Sequence, residues 1–236
     1  MRLSKRIYAI CDAVSMGETV ADIGTDHGYV PMLLMKNNIS PYAIMADISE
    51  GSLAKAIETF NQADIPADDS QFRLGDGLEC IRAGEVDDII IAGLGGYTII
   101  DILKYDIEKS KSFSKLILQP RKYSGNLRFF LYTHGWDIVR EQLAPEGKFV
   151  CEIITAVPSD CDSREEPYPE NDIRWKYPVE MALADPELFR KRLEWKYSSI
   201  DEEIINLKNS KSANSEKINE LKADRLYLQE LENSVM

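Results

Sequence analysis

Several features are absent from this chain, and each absence excludes something. Only four cysteines occur in 236 residues, at 11, 80, 151 and 161. None forms a C-x-x-C pair, so neither a zinc site nor a disulfide framework is indicated, and no metal is expected. No apolar run reaches the 18 or so residues that cross a bilayer. The opening residues MRLSKRIYAICDAVSMGE mix basic, polar and acidic side chains, which is not a signal-peptide pattern. A cytoplasmic protein with reduced thiols and no membrane partner is the expectation. Positive charge is also short: 28 Lys and Arg face 40 Asp and Glu, a net charge of −12. That argues against non-specific nucleic-acid binding as the main activity, although local basic surfaces are not excluded. Arg2, Lys5 and Arg6 cluster at the start, Lys109 to Arg128 contribute six cations in the middle, and Arg190 to Lys196 four near the end. Taken singly, each cluster reads as a solvated face. Last, the chain lacks the G-x-G-x-x-G turn of a dinucleotide site.

In its place stands TVADIGTDHGY at residues 19–29. Residues 19–23 are β-branched or apolar except Asp22 and predict a short buried strand. Gly24 permits a tight turn and a close ligand approach. A helix begins at Tyr29, whose first N–H groups have no partner within the helix. Asp22 and Asp26 would repel a pyrophosphate and attract an ammonium or sulfonium. S-adenosylmethionine carries both. The alternative is an ordinary strand–turn–helix with an Asp cap.

Strands and helices then alternate. Helices are expected over 3–15, 29–37, 50–63, 97–105 and 125–134, and strands over 19–23, 42–47, 71–74, 86–92 and 115–119. Strands over 136–143 and 149–156 follow, joined by a turn at 145–148. Five strands alternating with helices and then a hairpin imply an open α/β sheet, mostly parallel with an antiparallel edge. Residues 158–178 form a polar loop within a linker expected over 158–184. From Pro186, Leu193, Tyr197, Ile200, Ile204 and Leu207 recur at helical spacing. After NSKSANS at 209–215, Ile218, Leu221, Leu228 and Leu231 continue the pattern. Residues 185–236 therefore form an antiparallel helical hairpin of coiled-coil type, suited either to packing or dimerisation or to RNA docking. Oligomeric state stays open. Residues 1–157 form the α/β domain.

Ligands of such sheets sit beyond the carboxyl ends of the strands, and the chemistry-bearing residues fall there. Asp47 ends the second strand and is suited to hold two ribose hydroxyls, to cap the next helix, or both. Asp76, with Gly77 beside it, is a candidate for the adenine amine, or a plain turn residue. Gly93-Leu94-Gly95-Gly96 leaves room for a planar base, or is simply a flexible turn.

ADIGTDHGYVP, MADIS, GDGLE, AGLGG and LILQP, in this order and spacing, resemble the bacterial tRNA (adenine(22)-N1)-methyltransferase family across nearly the whole chain. That family is similar to other class I S-adenosylmethionine-dependent methyltransferases. The resemblance implies a Rossmann-like sheet, a helical extension, S-adenosylmethionine as cofactor and tRNA as partner. Candidate cofactor residues are Asp22, Gly24, Asp26, His27, Gly28, Asp47, Ile48, Asp76, Gly77 and Gly93. Asp26, Tyr29 and Gly95 are the catalytic candidates, and Gln119, Arg121 and Tyr97 the substrate-binding ones. Asp26 fits either the cofactor's ammonium or a proton leaving the product; His27 is a proton acceptor or a structural histidine. Tyr29 and Tyr97 either stack on the base or pack their helices. Where the family often has Gln-Pro-Asn, this chain has Gln119-Pro120-Arg121, and Arg donates hydrogen bonds but accepts none. A methyltransferase of the same fold with another RNA, protein or small-molecule substrate is the alternative. A non-catalytic cofactor-binding interaction protein is a further one.

Overall fold

Aliphatic runs at 20–23, 43–47, 88–94 and 115–120 make the centre of a seven-stranded sheet in a computed structural model that describes residues 3–160, 166–209 and 215–235. The strands are β1 (Val20–Ile23), β2 (Ala43–Asp47), β3 (Phe72–Leu74), β4 (Asp88–Leu94), β5 (Lys115–Pro120), β6 (Trp136–Glu146) and β7 (Phe149–Pro158). Their spatial order is β3-β2-β1-β4-β5-β7-β6. The first five pair in parallel, and β7 runs antiparallel to both β5 and β6. This is the expected Rossmann-like architecture with an antiparallel edge.

β1 and β2 are buried along their whole length, as strands covered on both faces must be. Alternate residues feed the two faces. Ala21, Ile23, Ile44, Ala46, Ile89, Ile91, Leu116 and Leu118 enter one core. Val20, Ala43, Met45, Ile90 and Ile117 enter the other. The second face is covered by α1 (Lys5–Cys11), α2 (Tyr29–Lys36) and α3 (Glu50–Gln62). The first is covered by α4 (Gly96–Tyr105), α5 (Ile107–Lys111) and α6 (Ser124–Thr133).

Several expectations are corrected. α1 is shorter than 3–15, because the chain turns after Cys11. Residues 69–71 form a 3₁₀ turn capped by Asp68, so β3 starts one residue late. β4 runs on through Gly93 to Leu94 with a register shift against β5. The hairpin turn shrinks to Gly147-Lys148, and Pro145 pairs with Val150 within the ladder; β6 is an edge strand, where a missing N–H is tolerated. The segment expected as a polar linker carries α7 (Ile173–Lys176) and α8 (Val179–Ala184).

α9 (Pro186–Asn209) and α10 (Ser215–Ser234) pack against one another. Arg225 pairs with Asp201, and Arg190 with Glu232, so the two helices run antiparallel. Their apolar faces join Leu143, Tyr177, Met181 and Ala182 in a third core. The expected turn at 209–215 falls largely outside the described residues, as do Arg2, Cys161, Asp162 and Glu165.

Candidate functional site

β1 ends at the point where its neighbours β2 and β4 leave in opposite directions, which is where an open α/β sheet holds a ligand. Gly24 turns the chain with φ +73°. The N–H groups of Gly24 and Thr25 both donate to the Ala46 carbonyl, at 2.8 and 3.1 Å. Asp26 takes φ +47° and Gly28 φ +63°. Gly28 stands against α3, where an added Cβ would lie 3.0 Å from that of Ala56. The turn is thus held from below by backbone hydrogen bonds and from the side by helix packing.

Asp22 is buried, and the Thr25 hydroxyl donates to its Oδ2 at 2.7 Å. Burial pushes its carboxyl up to about 6; the Thr25 hydrogen bond and Arg6 oppose that rise, and Asp47 adds to it. Asp47 accepts from the Asp26 N–H at 3.1 Å and from the Ser49 N–H at 2.9 Å. Capping of α3 belongs to Ser49, whose Oγ accepts from the Ser52 N–H at 3.3 Å. Each Asp47 oxygen keeps acceptor capacity for a ligand. Asp26 is half-exposed and paired with Lys55 at 2.9 Å. The His27 and Tyr29 rings stack, with centroids 5.0 Å apart.

At the end of β4, Gly93 has φ +80° and open space where a side chain would stand. Gly96 shows the opposite: a Cβ there would come within 2.4 Å of the Tyr123 carbonyl. The Gly96 N–H donates to the Lys122 carbonyl at 2.8 Å, and the Arg121 N–H to that of Leu94 at 2.8 Å. The two loops that end β4 and β5 are therefore tied together. Gln119 is buried; its Oε1 accepts from Arg6 Nη1 at 3.1 Å, and Arg6 Nε reaches Glu146 at 3.4 Å.

These elements enclose a cavity of about 1030 Å³. That is at the upper end of the ~300–1,000 Å³ typical of ligand sites, with room for more than one planar group. Asp22, Gly24, Asp26, His27, Tyr29, Asp47, Ile48, Asp76, Gly77, Gly93 and Arg121 all line it. Gly28, Gly95, Tyr97 and Gln119 do not. Gly28 faces Ala56, Gly95 caps α4, and Tyr97 leans on Tyr123 with centroids 4.7 Å apart. Gln119 reaches the cavity only through Arg6. The lining also includes Ser4, Thr98, Asp101, Tyr105 and Glu146, which sequence reasoning did not single out, and Arg6, which it placed on a solvated basic face. Arg6 meets Gln119 and Glu146 across 113 and 140 residues of chain, so no local pattern marks it. Ser4 Oγ and Glu146 Oε2 are buried with no hydrogen-bond partner among the described residues. Among the described residues, no three His, Cys, Asp or Glu side chains are grouped to hold a metal. Among them, too, no helix is long and apolar enough to cross a membrane.

Residues 3–154 match the family model described as "Methyltransferase domain". The tRNA (adenine(22)-N(1))-methyltransferase of Bacillus subtilis is 33% identical over 69% of this chain and 68% of its own length. Among solved structures, the B. subtilis m1A22 tRNA methyltransferase TrmK superposes with a TM-score of 0.75 at 24% identity, over 100% of this chain and 99% of that one. M. capricolum TrmK, solved with S-adenosyl-homocysteine, gives 0.74 at 23% identity, over 100% of both chains. At those identities the two structures speak to the fold.

Proposed function

This chain belongs to the tRNA (adenine(22)-N(1))-methyltransferase family, and from that membership we propose that it methylates N1 of adenine 22 in tRNA, in the cytoplasm, with residues 1–157 as its catalytic part. The observation that carries the assignment of the site is the convergence of Asp22, Asp47 and the open Gly93 on one cavity at the carboxyl ends of parallel strands.

The cavity residues fit S-adenosylmethionine. Asp47 has acceptor capacity for the ribose hydroxyls, and Asp76 beside Gly77 an acceptor for the adenine amine. β2 and β3 lie on one side of β1 in the sheet, and β4, β5 and β6 on the other. Arg6, Ser4 and Glu146 belong to that other side, with a guanidinium for a carboxylate and partnerless buried oxygens for an ammonium. Asp22 stands between the two groups. When bound, the cofactor supplies a sulfonium methyl, which the N1 lone pair takes up as the C–S electrons return to sulfur.

The protein's part is alignment and charge. Adenine N1 is already nucleophilic, so holding it in line with the methyl supplies most of the acceleration, worth roughly 7–11 kcal/mol. Gly93 leaves the volume the base needs. Positive charge passes to the adenine ring during transfer, and Asp22 and Glu146 are carboxylates of the cavity that stabilise it. Asp26, engaged with Lys55, closes the rim.

The test is methyl transfer from labelled S-adenosylmethionine to unmodified tRNA, with the nucleosides resolved by mass spectrometry. 1-Methyladenosine at position 22 is the expected outcome, and it is lost when the tRNA carries guanine in place of adenine at that position. Cofactor binding without any labelled tRNA overturns the assignment of substrate.

A further inference from the structure

A second depression lies beside the first. It runs between the loop after β5, the start of β7 and one side of α9, and measures about 640 Å³. Arg121 lines both cavities, so the two meet at that guanidinium. Lys122, Lys176, Lys191 and Lys196 line the second depression. No salt bridge neutralises Lys122, Lys191 or Lys196 among the described residues. Burial holds the Lys176 ammonium below the usual lysine range, and Lys196 and Arg192 lower it further. Acidic groups are present but mostly committed. Glu152 pairs with Arg128 and Arg192, and Asp172 with Arg174. Asp224 faces this cluster, and burial holds its carboxyl above the usual range while Lys196 opposes that rise. Glu170 accepts a hydrogen bond from Asn126 at 3.3 Å. In a chain of net charge −12, this is a local excess of unpaired cations.

The lining also includes Phe149 and Trp195, 57% and 54% exposed, with ring centroids 6.0 Å apart. Lys148 Nζ lies 5.2 Å from the Phe149 ring and 5.5 Å from the Trp195 ring. Two exposed aromatic faces beside an ammonium are poor protein surface and good base-stacking surface.

We propose that this groove carries the tRNA backbone to the active cavity: Lys122, Lys191 and Lys196 hold successive phosphates, Trp195 with Phe149 stacks an unpaired base, and Arg121 holds the phosphate where the strand enters the cavity. This rests on the tRNA reading above. Charge decides the occupant. A polyanion gains from the unpaired lysines, whereas a second copy of this acidic chain brings further negative charge overall.

The experiment measures methyl transfer and S-adenosylhomocysteine binding on the full chain. Trp195→Ala raises the KM for tRNA roughly 5- to 100-fold, Trp195→Phe restores most of it, and kcat stays within about twofold. In Lys191→Ala/Lys196→Ala, the slope of log affinity for tRNA against log salt falls by about 0.7–0.9 per lysine removed. S-adenosylhomocysteine affinity is unchanged in every variant. An unchanged KM and salt slope in these variants overturns the proposal, and dimers that dissociate on Trp195→Ala would assign the groove to a second copy of the chain. A wild-type protein that binds S-adenosylhomocysteine but labels no tRNA overturns the substrate assignment itself.

Discussion

Asp22 lies where the buried end of β1 meets the cavity, and its burial there costs the fold. Its carboxyl rises from an ordinary 3.8 to about 6, with burial as the chief cause. A carboxyl that holds its proton longer when folded favours folding most below the unfolded value. That contribution is lost as pH rises through about 6. The difference corresponds to roughly 3 kcal/mol against the folded state at neutral pH. Asp22→Asn keeps the shape and removes the charge. We expect its urea midpoint at pH 7.5 to exceed that of the ligand-free wild type by about 1–3 kcal/mol in stability, and the margin to vanish near pH 3.5. The same variant should bind S-adenosylmethionine at least tenfold more weakly in calorimetry if, as proposed, the Asp22 carboxylate attracts the cofactor's positive charge. A variant destabilised at pH 7.5 would mean that Thr25 and Arg6 outweigh desolvation. Asp22 was visible in the sequence because the D-I-G turn announces it. Arg6, one helix away, was not, since its partners are supplied by distant strands.

Among the elements, α6 is joined to the antiparallel edge by charge as well as by apolar packing. Arg128 is 1% exposed and holds Glu141 through Nε at 2.7 Å and Nη2 at 2.9 Å, and Glu152 at 2.7 Å. Its Nη1 donates to the Trp175 carbonyl of α7, and Arg192 of α9 also pairs with Glu152. Four elements meet on two carboxylates. Arg128→Met would leave Glu141 buried without its ion-pair partner and Glu152 with Arg192 as its remaining one, which costs about 3–5 kcal/mol. Urea unfolding should show that loss at pH 7.5 and a smaller one at pH 5, because burial holds the Glu141 carboxyl above the usual range and its protonation relieves the uncompensated charge. An equal loss at both pH values would assign the effect to packing alone. Sequence reading put Arg128 on a solvated basic face, because a helix shows its own charge pattern but not which strands it will meet. The central strands were legible for the opposite reason: short aliphatic runs, ended by Gly24 after β1, by Asp47 in β2, by Gly93 in β4 and by Pro120 in β5, declare burial locally. α5 and α7 were missed although Asp106 and Asp172 cap them through the N–H groups of Lys109 and Arg174. Five and four residues are too few to show a periodicity.

Across the whole molecule, the third core decides whether the helical hairpin is an appendage or part of the catalytic body. Leu143 of β6, Tyr177 and Met181 share one apolar cluster with Phe189, Leu193, Leu228 and Leu231 of the hairpin. Arg192 adds hydrogen bonds to the Val150 carbonyl and to Glu152 of β7. The hairpin's apolar stripe was readable from spacing alone. Its docking partner was not, since α8 lies in a segment rich in proline and charge. With an apolar cluster and a buried ion network crossing the junction, neither part should unfold while the other stays native. S-adenosylhomocysteine, the ligand proposed for the cavity at the sheet end, provides the test. At a hundredfold excess over its Kd it stabilises the native state by about 2.7 kcal/mol, or roughly 5–10 °C for a chain of this size. Scanning calorimetry should show one transition that moves as a whole. A second transition left behind by the ligand would make α9 and α10 an independent unit, and the proposed path of tRNA from groove to cavity would then cross a hinge instead of a rigid wall.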